Sequence, residues 1–181
     1  MNKNELTKLI IDYLDKYPDD EHALKTIDFL GNNELFWQRK NLLGHITASA
    51  WVINQDKNKA LLTHHIELDK WFQLGGHIEY ADKNIYDAAK RELEEESGLQ
   101  DFRLESSKIF DIDVHQIPIS KKGVPAHYHY DIRLLFVADE NKKIKCQATE
   151  SNAVQWLHFN EIKSKTNEYS VLRMIEKVSV L

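Results

Sequence analysis

The stretch LGGHIEYADKNIYDAAKRELEEESGL, residues 74–99, constrains this chain more than any other. Two glycines, Gly75 and Gly76, precede one uninterrupted helical pattern over residues 84–97, and Gly98 stands where a helix end accepts a left-handed residue. On a wheel of about 100° per residue with Glu92 at zero, Glu95 falls near about −60° and Glu96 near about +40°, so three carboxylates share one arc. Tyr86, Ala89 and Leu93 form an adjoining apolar stripe suited to packing on a sheet, while Asp87, Lys90 and Glu94 take the opposite, wet side. The helix therefore has a core sector, a solvent sector and an acid sector. Like charges at i,i+3 and i,i+4 repel by a few tenths of a kcal/mol each, so an acid sector beside a packing face calls for compensation.

The rest of the chain supplies the sheet. ITASAWVIN (46–54) and KALLTHHIEL (59–68) read as two strands of a hairpin about the polar turn 54–58, and WFQLGG as a brief third strand. RLESSKIFDIDVHQIPI and AHYHYDIRLLFVAD read as two further strands around SKKGVP, AVQWLHF as another, and residues 160–181 as helical. Ahead of these, Leu6, Leu9, Ile10, Tyr13 and Leu14 repeat at helical spacing. Pro18 stops that pattern, Asp19 or Asp20 caps a second helix with Ala23, Leu24, Ile27 and Leu30 on its apolar side, and Gly31 is expected at its C-terminus. Phe36 and Trp37 are available to fasten this helical hairpin to the next part of the chain. The expected architecture is α+β with a mixed sheet, organised as a helical N-terminal extension over 1–44 and a main domain over 45–181.

Composition narrows the function. With 181 residues, 42% of them hydrophobic, the chain can enclose one substantial core. A net charge of −5 provides no broad positive field for phosphate backbones, so general nucleic-acid binding is not expected. A single cysteine, Cys146, cannot form an internal disulfide, and in a polar run it is a poor candidate nucleophile. The opening residues lack a secretory apolar core, and no run approaches the ~20 apolar residues of a membrane span, so a cytoplasmic location is expected.

A hard divalent cation would compensate the acid sector, because Mg²⁺ and Mn²⁺ take oxygen ligands and share them with waters and phosphates. A solvated acidic face neutralised by local Lys and Arg is the plainer reading of three glutamates alone. The spacing adds more. Gly76, followed by Arg91-Glu92-Leu93-x-Glu95-Glu96-x-Gly98-Leu99, resembles the Nudix box, G-x5-E-x7-R-E-U-x-E-E-x-G-U with U aliphatic, and the resemblance extends over roughly residues 45–160. It implies an α/β/α sandwich around a mixed sheet and a hydrolase, a pyrophosphatase of nucleoside diphosphate derivatives using Mg²⁺ or Mn²⁺. It also implies that Glu92, Glu95 and Glu96 hold the metal, that Arg91 orients the box through a salt bridge, and that the carbonyl of Gly75 or Gly76 completes the shell. The general base is left open among Glu95, Glu96 and a loop residue such as Glu150. The chain departs from the pattern by one extra residue between Gly76 and Arg91, so Asp82 or Lys83 stands where the family has its first Glu.

The histidines form the second constellation. Nine occur, and His64, His65, His77, His115, His127 and His129 fall between residues 64 and 129. Asp111, Asp113 and His115 alternate, as do His127, His129, Asp131 and Arg133, so each set takes one face of its strand. An antiparallel pairing with His115 opposite His129 puts Asp113 opposite Asp131 and Asp111 opposite Arg133, gathering the polar groups into one patch, with Ile112, Val114, Tyr130, Ile132 and Leu134 behind it. Three roles are open to that patch: paired charges on an exposed face, a substrate-binding face in which His77, His115, His127, His129, Asp113, Asp131 and Arg133 meet phosphate or sugar oxygens, or a second metal site built on His127, His129 and Asp113. At most one of His64 and His65 can face a cleft. Trp37, Trp51, Trp71 and Trp156 are expected in the core, with Trp71 near the glycine turn.

The expected activity is metal-dependent hydrolysis of a phosphoanhydride, with a small nucleoside diphosphate derivative as partner and a homodimer allowed. A catalytically silent nucleotide- or sugar-phosphate-binding module is the rival from another class. Isomerisation of a prenyl diphosphate is a third reading, weakened because Cys146 lies outside any matching motif.

Overall fold

The structure, a computed structural model, describes residues 1–66, 68–120, 123–145 and 151–181. Cys146 and the candidate base Glu150 lie outside the described residues. The chain forms two compact units, one of Met1–Ala48, Gly76–Ala89 and Lys108–Leu134, the other of Ser49–Gly75, Lys90–Ser107 and Leu135–Leu181. The elements in chain order are α1 (Lys3–Leu14), α2 (Glu21–Asn32), β1 (Gly44–Ile53), β2 (Lys59–His65), β3 (Lys70–Phe72), β4 (Leu74–His77) and α3 (Ile85–Ser97). They continue with β5 (Phe102–Leu104), β6 (Asp111–Ile117), β7 (His127–Ala138), β8 (Ser151–His158), α4 (Phe159–Lys165) and α5 (Tyr169–Val178). The strands form a mixed sheet in the order β3–β2–β1–β7–β5, with β4 on β1, β6 on β7 and β8 on β2.

In the first unit, Asp20 ties the two N-terminal helices together. Its carboxylate caps α2 by accepting the Ala23 N–H at 3.0 Å and also accepts the Tyr13 hydroxyl at 2.8 Å. Burial, reinforced by the charges of Asp111 and Asp20, holds the Tyr13 hydroxyl well above the ordinary phenol range. The apolar side of α2 differs from the expected one. Leu24 faces solvent and Phe29 is buried instead, its ring stacked on Tyr130 with centroids 4.0 Å apart, as α2 packs against β6. Gly31 lies within α2 rather than beyond it, because the helix continues to Asn32. Phe36 is buried and its carbonyl accepts the Ile46 N–H at 2.7 Å, so this residue does fasten the segment to β1, and Trp37 meets Tyr80 edge-on at 4.9 Å.

The β6–β7 pairing has the expected register: Asp111 opposite Arg133, Asp113 opposite Asp131 and His115 opposite His129. What differs is exposure. Asp111, Asp113, Asp131 and Arg133 are all at most 5% exposed, as are Ile112 and Ile132 behind them, so this end of the pair is covered on both faces and no exposed charged face exists there.

In the second unit, β2 is the central strand, antiparallel to the end of β1 (Val52 opposite Leu61), to β3 and to β8. The expected hairpin turn forms because the Asn54 side chain accepts the N–H groups of Asn58 and Lys59, each at 3.0 Å. Two expected single strands are each divided. WFQLGG becomes β3 and β4 because its halves pair with different strands, β2 and β1. RLESSKIFDIDVHQIPI becomes β5 and β6, both on β7, with residues 105–110 looping out between them. The helical tail likewise breaks into α4 and α5; α4 is capped by the Glu161 carboxylate, which accepts the His158 N–H at 2.7 Å, and α5 buries Val171, Met174, Ile175 and Val178. Trp51 is fully buried, whereas Trp71 is half-buried, beside His64 and under the Lys165 ammonium.

Candidate functional site

The first candidate group stands on the second half of α3. Asn84 starts this helix by accepting the Asp87 N–H at 2.9 Å, and Ile85, Ala88, Ala89 and Leu93 are buried, so packing fixes the rotation of its acid sector. At its end Gly98 has φ of +69°, and a Cβ there would meet the Lys145 Cβ at 2.9 Å. Of the three glutamates, Glu96 is 6% exposed and accepts the Gly75 N–H at 2.7 Å, with Gly75 at φ of +154°. That charge-assisted bond joins the glycine turn to the helix. The same Nη1 atom of Arg91 donates to Glu92 at 2.9 Å and to Glu95 at 3.1 Å. One guanidinium thus holds two carboxylates one turn apart, Glu92 mostly buried and Glu95 open to solvent.

The donor set of Glu92, Glu95 and Glu96 is all oxygen, which suits a hard divalent ion. Asp82, the stand-in for the family's first Glu, is 5% exposed and its carboxylate accepts the Glu79 N–H at 2.8 Å, an engagement within its own turn.

The second candidate group is the polar face of the first unit, where β1 contributes His45 and Thr47, β4 His77, β6 Asp111, Asp113 and His115, and β7 His127, His129, Asp131 and Arg133. It divides into two ends of different character. At one end the Arg133 guanidinium donates to Asp131 at 2.9 Å and Asp111 at 3.1 Å and lies 3.4 Å from Asp113, while Thr47 donates to Asp131 at 3.0 Å. Burial works against this guanidinium's charge, but the three carboxylates outweigh it and hold its proton more firmly than in water. Asp113 also meets the His115 Nδ1 at 2.8 Å. Nearby, the His22 Nδ1 accepts the Val114 N–H at 2.7 Å, so that atom carries no proton, and its 3.9 Å approach to Asp113 is not an ion pair.

At the other end imidazoles crowd together. The His45 ring lies 4.8 Å from His129, 5.0 Å from His77 and 5.1 Å from His127, centroid to centroid, and His77 and His129 are 5.0 Å apart. His45 is 2% exposed and neither of its nitrogens meets hydrogen-bond geometry, although the Asn41 backbone is near enough to oppose part of the burial effect. The buried Nε2 of His129 likewise has no hydrogen-bond partner. His127 does have one, its Nδ1 lying 2.8 Å from the Pro125 carbonyl. Burial first, then Arg39 and the neighbouring imidazoles, pushes His77 down to about 3; burial and the neighbouring imidazoles push His129 to about 2, and burial takes His45 to about 4. These rings are neutral near pH 7.

The expected residues therefore fall into two sets. Arg91, Glu92, Glu95, Glu96 and Gly75 are joined in one unit; His77, His115, His127, His129, Asp113, Asp131 and Arg133 share the polar face of the other. Of the residues of the expected second metal set, His129 has a ring nitrogen within 4.8 Å of ones on His45 and His77, while Asp113 contacts Arg133 and His115. His45 was missed because the first strand was expected to begin at Ile46, although His45 alternates with Thr47 and Ser49.

The NUDIX domain family model matches residues 44–177. A NUDIX-family hydrolase from Clostridium perfringens superposes with a TM-score of 0.55 at 23% identity, covering 75% of this chain and 97% of that one. An Ap4A hydrolase from C. elegans, in a binary complex, gives a TM-score of 0.59 at 14% identity over 75% of this chain and 95% of that one. The NUDIX domain of Shewanella oneidensis NrtR, complexed with ADP ribose, gives 0.53 at 15% identity over 84% and 96% of the two chains. Among curated proteins none matches the sequence. With its glycine turn bonded to an arginine- and glutamate-bearing helix inside the matched span, the chain belongs to the NUDIX domain family. No helix among the described residues is long and apolar enough to cross a membrane.

Proposed function

We propose that this protein is a metal-dependent pyrophosphohydrolase of a small nucleoside diphosphate derivative, with Glu92, Glu95 and Glu96 holding Mg²⁺ or Mn²⁺ and the Gly76 carbonyl completing the shell. The observation that carries the reading is the Gly75–Glu96 bond, which fixes one buried carboxylate of the acid sector against the glycine turn. When bound, the cation supplies positive charge against phosphate oxygens and a Lewis acid for water. The chain's own groups do the rest. Arg91 keeps Glu92 and Glu95 on one side of α3, and solvent-exposed Glu95 or buried Glu96 accepts the proton of the attacking water. The polar face of the first unit, with His77, His115, His127, His129, Asp113, Asp131 and Arg133, serves substrate binding, and residues 1–44 form an extension to a catalytic domain over 45–181. A single cysteine, which cannot form an internal disulfide, supports a cytoplasmic setting.

Hydrolysis of Ap4A and ADP-ribose with Mg²⁺ or Mn²⁺ tests this reading. Glu95→Gln and Glu96→Gln are each expected to lower turnover by at least about 10²-fold with circular dichroism unchanged. Arg91→Ala should lower turnover and also cost about 1 kcal/mol of stability. Full activity in both glutamate variants would defeat the assignment, and binding of these nucleotides without any phosphate release would make the protein a silent binding module instead.

A further inference from the structure

We infer that His45, His77 and His129 form a binding site for one borderline transition-metal ion, of the Zn²⁺ type, separate from the carboxylates of α3. One ligand nitrogen from each ring lies within 4.8 Å of the other two, and this is the one group of three or more potential metal ligands so placed among the described residues. The three come from different strands, β1, β4 and β7, so the sheet itself assembles the trio. Its members are all imidazole, and no carboxylate oxygen belongs to it. That composition suits Zn²⁺, Cu²⁺ or Ni²⁺ and poorly suits Mg²⁺.

The hydrogen-bond pattern points the same way. His45 is almost wholly enclosed and neither of its nitrogens meets hydrogen-bond geometry, although the Asn41 backbone is near, and the buried Nε2 of His129 has no hydrogen-bond partner. Apolar rings of the same shape would fill this space without leaving lone pairs stranded, so packing alone gives no reason for imidazoles here. A metal ion accepts those lone pairs. Tetrahedral binding at Zn–N of about 2.0–2.1 Å requires nitrogens roughly 3.4 Å apart. The trio therefore needs to contract by about 1.4 Å at its widest, within reach of small side-chain rotations of the half-buried His77 and His129. Three protein ligands leave a fourth position open, the pattern of a site that also receives water or substrate. His127 and His115 flank the trio, with His115 held by Asp113 at 2.8 Å.

The test uses tag-free, full-length protein stripped of metal with a chelator and titrated with Co²⁺ and then Zn²⁺, monitored by calorimetry and by visible absorption. With a hundredfold excess of Mg²⁺ present to occupy the α3 carboxylates, one Co²⁺ per chain is expected, with the intense visible bands of four-coordinate Co²⁺, and Zn²⁺ displaces it. His77→Gln and His129→Gln should each weaken binding tenfold or more, whereas His158→Ala and the double variant Glu95→Gln/Glu96→Gln leave it unchanged. His129→Cys, which restores a ligand atom, should recover binding and add a thiolate-to-Co²⁺ charge-transfer band in the near ultraviolet. Failure to bind one ion per chain, binding indifferent to both histidine variants, binding lost with the glutamates, or the missing charge-transfer band would each overturn the site. Because the glutamate variants decide the hydrolase reading and the histidine variants this one, either can fail without the other.

Discussion

The two ends of the polar face in the first unit lie on the same strands and differ in how completely their buried groups are satisfied. At the Arg133 end one guanidinium engages three carboxylates, and Thr47 and His115 take further acceptor positions. At the His45 end the rings contact one another while nitrogens of His45 and His129 meet no hydrogen-bond geometry. A saturated buried network holds strands in place, and losing one member leaves stranded charges. An unsaturated one carries a standing cost of about 1–3 kcal/mol per stranded group, which a ligand can relieve. The contrast separates an end whose buried groups satisfy one another from an end with stranded nitrogens, where the inferred metal site lies.

Arg133→Ala should show the largest effect, a loss of about 3–5 kcal/mol in urea denaturation, because it leaves three buried carboxylates without their cation. A variant as stable as the parent would show that the network is dispensable. Acidification of the metal-free protein comes next. His45, His77 and His129 are held below the ordinary imidazole value near 6.5, with Arg39, His115 and His127 the charged or titratable groups acting on them. As the pH falls below about 6.5 the unfolded chain takes up protons that the folded trio refuses, so stability is present above that value and lost progressively down towards about pH 4. Urea midpoints flat between pH 7 and 5, after correction with the triple histidine-to-glutamine variant, would contradict it.

Smaller effects sharpen the comparison. Thr47→Val removes a buried hydrogen bond to a charged group and should cost about 2 kcal/mol at the saturated end. His129→Leu, at the unsaturated end, removes a nitrogen that has no partner and should stay within about 1 kcal/mol of the parent in metal-free buffer. Equal costs for the two, measured by thermal denaturation, would erase the distinction between the ends.

Legibility in the sequence followed local periodicity. Helix α3, its Gly98 terminus and the burial of Ala89 and Leu93 were readable because the helical repeat is set by neighbours in the chain, whereas Ile85, Ala88 and Glu96 are buried on the arc expected to be acidic. The β6–β7 register was readable because alternating charges on both strands have one pairing that matches Asp111 to Arg133. The divided strands β3/β4 and β5/β6 were not, since nothing local marks where a strand changes its partner. Nor was the outward turn of Leu24 and the inward turn of Phe29, which Tyr130 decides from a distant strand.

By itself the sequence determined the family signature and the arc shared by Glu92, Glu95 and Glu96, because the helical repeat spaces those three, while the structure supplied Glu92 and Glu95 as the partners of Arg91. Tertiary structure alone decided that Asp111, Asp113, Asp131 and Arg133 are buried rather than exposed, and that His45 joins His77 and His129. The physical reason is that enclosure and the meeting of three strands depend on sheet pairing across long stretches of chain, which no local pattern encodes.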